Sequence, residues 1–336
     1  MNNKQSIIQK KVFLNDYIPT LISFEKPKKI SSMIILKDNR IALCYKTQVG
    51  IFDIKTLKQE ILIDLKNIQF PLTKIYQISD GRILLCYSRG PVEIVNLINK
   101  NSYKIEQKIN GFFEGFKPLE LNNKNIVLLS QEGILNSYKI NLPSNNFIFY
   151  KKITLFNIPN LTLSDMKEIP NNNEIVYVSH KSGKIFFVNY ENNKLTHVLN
   201  SHNDKIFFEA LFVLNNEILF VGGFQNMICI IDMKNYQIIQ HIIIQNYMIH
   251  NFIKLNDNSL LSGGQLIGSQ KGIICQFNYE GELKLIQKNF DIHKSRVIEI
   301  LELNKYIFFT RDQSSKIYKW ERKNPLIINK KNKNKK

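Results

Sequence analysis

Metal binding, acid–base catalysis and nucleophilic chemistry draw on a short list of side chains. This 336-residue chain carries six histidines, four cysteines and 28 acidic residues with which to attempt them. Their spacing argues against all three. Cys44, Cys86, Cys229 and Cys275 stand alone within apolar runs, which excludes a zinc-finger arrangement and reads as buried thiols in a reducing compartment. No HExxH, GxSxG or CxxC occurs. Gly263 to Gly268 has the glycine spacing of a phosphate loop, but Ser269 follows where that loop needs lysine. No cofactor or metal is therefore expected, and the next question is what elements would position a site of any other kind.

Those elements repeat. The apolar run YIFFT after Lys305 has counterparts in RIALC from Arg40, RILLC from Arg82, NIVLL from Asn125, EIVYV from Glu174, EILFV from Glu217 and SLLSG from Ser259. Aligning Ile41, Ile83, Ile126, Ile175, Ile218, Leu260 and Ile307 gives intervals of 42 to 49 residues. A second register runs in parallel through Phe52-Asp53, Val95-Asn96, Tyr138-Lys139, Val188-Asn189, Ile231-Asp232, Phe277-Asn278 and Trp320-Glu321. Seven units of roughly 40–45 residues, each with room for four short strands, predict an all-β, seven-bladed β-propeller of four-stranded antiparallel blades. Turn signals agree: Lys37-Asp38-Asn39, Ser79-Asp80-Gly81, Asn171-Asn172-Asn173 and Asn256-Asp257-Asn258 precede their runs and suit tight hairpins. No long stretch keeps a 3.6-residue period, so helices should be few or absent.

These units resemble the WD-repeat propellers. Trp320-Glu321 stands where that family has its Trp-Asp pair, and Phe52-Asp53 and Ile231-Asp232 keep the acidic member. Ser201-His202 and Ile292-His293 are similar to the Gly-His pair that opens a unit. The resemblance covers about residues 30 to 322 and implies structural roles for His202, His293 and Trp320. It also implies a hydrogen-bond network in the last unit through His293, Thr310, Asp312 and Trp320, with Asp312 two residues early. In the family the N-terminal strand commonly completes the last blade. Here Tyr17 to Phe24 is free to do so, with Leu326-Ile327-Ile328 as the alternative.

In a propeller, equivalent positions form a ring, so a catalytic mouth should show as a ring of ligands. The positions five past the aligned residues are Lys46, Ser88, Gln131, His180, Gly223, Gln265 and Asp312. One earlier come Tyr45, Tyr87, Ser130, Ser179, Gly222, Gly264 and Arg311. One histidine and one aspartate, three blades apart, make a poor metal-dependent hydrolase. The expected function is a non-catalytic scaffold that mediates protein–protein interactions in a larger, multi-subunit complex, with Arg89, Phe112, Phe113, Phe224 and Arg311 as candidate anchors. Phe112 and Phe113 sit in what reads as a glycine-flanked loop, Asn110 to Gly115, where such a pair more often caps the core than anchors a partner; Gly264 to Gly272 reads as an enlarged loop.

A formal charge of +18 invites nucleic acid or anionic lipid as partners. Lysine outnumbers arginine by about 40 to 6, however, and asparagine and isoleucine are raised with it, the mark of AT-rich codons rather than of phosphate recognition. Nucleic-acid or lipid binding through the lysines is the alternative function, and a divergent propeller hydrolase a third. Residues 1–11 read as a flexible basic N-terminus, 12–322 as a single propeller and 323–336 as a disordered Lys/Asn-rich tail. The N-terminus lacks the apolar core of a signal peptide, and Tyr236 to Ile253 is too interrupted by polar residues to span a membrane and reads as two strands. A cytoplasmic location is expected, with a nuclear one as the alternative.

Overall fold

The computed structural model describes residues 14–23, 29–65, 69–114, 118–129, 134–141, 144–155, 163–179, 183–200, 207–224, 226–289 and 292–323. Seven four-stranded antiparallel sheets make up the blades of a propeller. Among the described residues the sole helical element is a 3-10 turn, Leu14–Asp16. Within six of the seven blades the four strands run in chain order, and the first strands of neighbouring blades lie against one another around the axis.

Second strands such as Arg40–Cys44, Ile83–Tyr87 and Glu174–Ser179 are buried along their whole length. A neighbouring blade covers each of their faces, so no polar alternation remains to show the phase of the strand. That is why the sequence alignment slips by one residue in two blades. Ile41 pairs with Phe52 and Ile83 with Val95, but Ile218 pairs with Asp232 and Ile307 with Glu321. Leu219 and Phe308, opposite Ile231 and Trp320, are the true equivalents.

The repeated turn between first and second strands has one geometry in four blades. Asn39, Gly81, Lys124 and Asn258 each take a left-handed conformation, with φ from 63° to 98°. Their amides donate to the carbonyls of Leu36, Ile78, Leu121 and Leu255 at 2.8–3.0 Å, which closes the hairpin. At the other hairpin, the polar residue of the second register caps the turn. The Asp53 carboxylate accepts from the amides of Lys55 and Thr56 at 3.0 and 2.7 Å, and Asp232 and Asn189 cap the same way.

The chain closes on itself through its N-terminal strand. Tyr17–Ile22 pairs antiparallel with Ile317–Arg322 and becomes the fourth strand of the last blade. Two open sheet edges are satisfied by one pairing. Two expected loops are strand instead. Asn110 to Glu114 belongs to Ser102–Glu114, paired with Arg89–Asn99, and Gly264 to Leu266 finishes Leu260–Leu266 before a short turn to Gly272–Tyr279. Tyr236 to Ile253 does split into two strands, Gln237–Ile243 and Tyr247–Lys254. No described helix is long and apolar enough to cross a membrane.

Blades are joined by a device with no counterpart in the expected family network. A side chain near the end of one first strand caps the turn of the blade before it. Gln77 accepts from Lys37 N at 2.8 Å, Glu120 from Ser79 N at 2.7 Å, Glu168 from Asn122 N at 2.7 Å and Glu302 from Asn256 N at 2.8 Å. Where the turn residue is Pro170, which has no N–H to cap, the facing position is Val213.

Candidate functional site at the channel mouth

Strand alternation places the turns between second and third strands and the connections to the next blade at one end of the molecule. They bond to each other there: Ile244 N to Asn226 O at 2.6 Å, Gly272 N to His293 O at 3.0 Å and Gln313 N to Arg296 O at 2.9 Å. This mouth holds most of the polar groups that could act on a ligand.

The most heavily bonded is Glu299 on the first strand of the last blade. Its carboxylate accepts from Arg311 Nε at 2.6 Å, from Lys74 Nζ at 3.3 Å and from Ser32 Oγ at 3.3 Å. The guanidinium of Arg311 also donates to the carbonyls of Ile30 and Ser31 at 2.7 and 2.9 Å. Three blades are thus tied at the axis by one cluster. Burial by itself would raise the Glu299 carboxyl, but the Arg311 and Lys74 cations beside it win and hold it below the usual carboxylate range.

A second cluster sits in the last blade. His293 Nε2 and Thr310 Oγ1 lie 2.8 Å apart, Trp320 Nε1 donates to the same hydroxyl at 2.8 Å, and His293 Nδ1 lies 3.4 Å from Asp312 Oδ2. All four residues are buried. With Phe308 rather than Ile307 as the equivalent, Asp312 falls one position before the ring expected for it, in the ring of Tyr45 and Tyr87. The preceding blade holds a reduced version: Ser262 takes the place of Thr310, and the Tyr247 hydroxyl lies 2.8 Å from it. On the first strands of the fifth and sixth blades, Glu209 pairs with His250 Nδ1. The His250 side chain is 7% exposed, and its Nε2 is buried without a hydrogen-bond partner.

The sequence-derived anchors are scattered by the fold. Arg311 is 1% exposed and its donors are spent inside the ring, so it offers nothing to a partner at the surface. Phe113 is 4% exposed, edge-on to Tyr138 in the seam between second and third blades; the strand that replaces the expected loop turns it inward. Arg89 is exposed at the start of its strand, and Phe224 is half-buried with Phe207 and His250 edge-on to its ring. His202, His180, Gln131 and Ser130 lie outside the described residues, as do the side chain of Phe112, residues 1–11, the alternative closing segment Leu326 to Ile328 and all of the expected tail but Lys323. Sequence reading missed Glu299, Lys74, Glu209 and His250. A signal existed, since a polar residue recurs early in the first strand of most units, but it carries no local motif. Among the described residues no group of three His, Cys, Asp or Glu could hold a metal ion.

Solved structures place this geometry. The WD40 β-propeller domain of Doa1 superposes with a TM-score of 0.67 over 90% of this chain and 94% of its own, at 10% identity. The fold is WD-repeat-like. A chain of the mitotic checkpoint complex matches this WD-repeat-like propeller at a TM-score of 0.69 and 10% identity, covering 89% and 88% of the two chains. So does a catalytically inactive virginiamycin B lyase from Staphylococcus aureus solved with quinupristin, at 0.70 and 12%, covering 91% and 99%. At such identities the likeness is one of fold. No protein-family model matches the sequence, and no curated protein matches it either.

Proposed function

We propose that this propeller is a non-catalytic scaffold that binds protein partners within a larger assembly. The observation that carries the reading is the Glu299 cluster: the charges nearest the axis are spent on joining blades, through Arg311, Lys74 and Ser32, rather than converging on a reactive centre. What remains available is surface. Arg89 and the Phe207–Phe224 pair belong to it, as do apolar side chains on outer strands such as Phe149 and Ile243. A rigid ring presenting such groups binds through a few anchors, and the checkpoint-complex likeness supports the same reading. Residues 12–322 act as one unit in it, in the cytoplasm.

The test is isolation of the tagged protein from its own cells at moderate and then high salt, with mass spectrometry and absorbance of what co-purifies. A defined set of proteins that survives high salt is expected. Nucleic acid or lipid that washes off would instead favour binding through the lysines.

A second reading, catalysis, has one observation in its favour: His250 is oriented through Nδ1 by Glu209 while its Nε2 has no partner, the arrangement of a general base. That nitrogen is buried, so the reading requires the mouth to open. Diethyl pyrocarbonate should leave His250 intact while it modifies the exposed His241; equal modification of both would revive the catalytic reading.

A further inference from the structure

At the channel mouth, between the sixth and seventh blades, lies a pocket of about 350 Å³ lined by Gln265, Gln270, Ser295, Arg296, Gln313 and Ser314. Five of these are neutral amides and hydroxyls. The sixth is a cation with nothing to neutralise it: among the described residues Arg296 has no ion pair, and its Nε is buried without a hydrogen-bond partner. It differs in this from Arg40, Arg82 and Arg311, whose guanidinium groups each meet carboxylates. Leaving a guanidinium donor buried and unpaired costs free energy unless something completes it.

The walls are rigid. The Arg296 carbonyl accepts from Gln313 N, and Ser295 Oγ accepts from Ser314 N at 3.0 Å. Gly272 N donates to the carbonyl of His293, the residue that opens the Thr310–Trp320 network. Gly272 itself is needed for that approach, since a Cβ there would stand 2.2 Å from the Ser295 carbonyl oxygen. The pocket is therefore formed by turns that hydrogen bonds hold to one another across the seam of the sixth and seventh blades, which pre-organises it.

We propose that this pocket receives a single carboxylate, an acidic side chain or a chain terminus of a partner protein, paired to the Arg296 guanidinium. The inference deepens the scaffold reading and rests on it for the source of the carboxylate. A planar guanidinium matches a carboxylate bidentately, and the surrounding amide and hydroxyl groups can complete its hydrogen bonds. Charge decides between anions. One arginine balances one negative charge, whereas a phosphate dianion would leave one negative charge in excess.

The test uses the full chain with ¹⁵N-labelled arginine. Its six arginines give a sparse side-chain Nε–Hε spectrum, in which the signal lost in R296Q identifies Arg296. N-acetylglutamate α-amide, the neutral N-acetylglutamine amide, inorganic phosphate and sodium chloride are titrated separately at matched ionic strength. A saturable shift of the Arg296 signal with the carboxylate alone is expected; in R296K, where the charge stays and the fork is lost, carboxylate binding read by calorimetry should be about tenfold weaker than in the parent. No saturable shift, or an equal response to the neutral amide or to chloride, overturns the pocket. Tighter saturation by phosphate overturns the choice of carboxylate. No partner enters this titration, so its failure leaves the scaffold reading standing, while a co-purification without proteins leaves the pocket standing.

Discussion

Thr310 shows how much one side chain can hold. Its hydroxyl meets both His293 Nε2 and Trp320 Nε1 in a dry seam. Thr310→Val keeps the shape and strands two buried donors or acceptors, so a loss of roughly 2–4 kcal/mol is expected, read as a lower urea midpoint; a change near zero would show that the network contributes little. Glu299 makes a pH prediction. Its carboxyl is held low in the folded protein, so its contribution is complete above the unfolded carboxyl's value of about 4.3 and fades as pH falls through the lower folded value. Melting temperature should therefore drop on acidification from about pH 5 downward. Glu299→Gln should be destabilised near neutrality, by about 3–5 kcal/mol, because it leaves Arg311 buried without its counter-charge, and should show a flatter acid limb. An acid limb as steep as in the parent would remove Glu299 from the account.

Strands and turns show which parts of the fold were legible. Asn39, Gly81 and Asn258 mark hairpins because left-handed backbone favours these residues, and the turns stand where the sequence put them. Lys124 makes the same turn with a residue that carries no such signal. The closing strand is a clear test of an element. Deleting residues 1–23 would strip Ile317–Arg322 of its partner and bare its edge. The expected outcome is a lower melting temperature and concentration-dependent association in light scattering; a truncated chain as stable and monodisperse as the parent would mean that the closure carries no weight. The caps from one blade to the next went unseen in the sequence. Each joins residues some forty positions apart, Ser79 to Glu120 or Lys37 to Gln77, and an acidic residue at a strand end says nothing by itself about which amide it will face.

Taken as a ring, the molecule should behave as one cooperative unit, because each blade buries its faces only against its neighbours. The four cysteines report on that. All are buried and free, and burial pushes each thiol up to about 12, so none is a thiolate near neutrality. Alkylation at about pH 8 should proceed at all four with one rate, set by global opening; a cysteine that reacts early would locate a blade that opens alone. The amino-acid sequence by itself determined the number of blades, the antiparallel hairpins and the turn chemistry, because these depend on neighbours within a few tens of residues. Tertiary structure alone decided the phase of the strands at Leu219 and Phe308, since a strand buried on both faces has no polar face to mark it. It also decided that Arg311 and Phe113 turn inward and that Arg296 stands unpaired in a pocket. Those outcomes depend on which blade comes to lie beside which side chain, and only closing the ring brings them together.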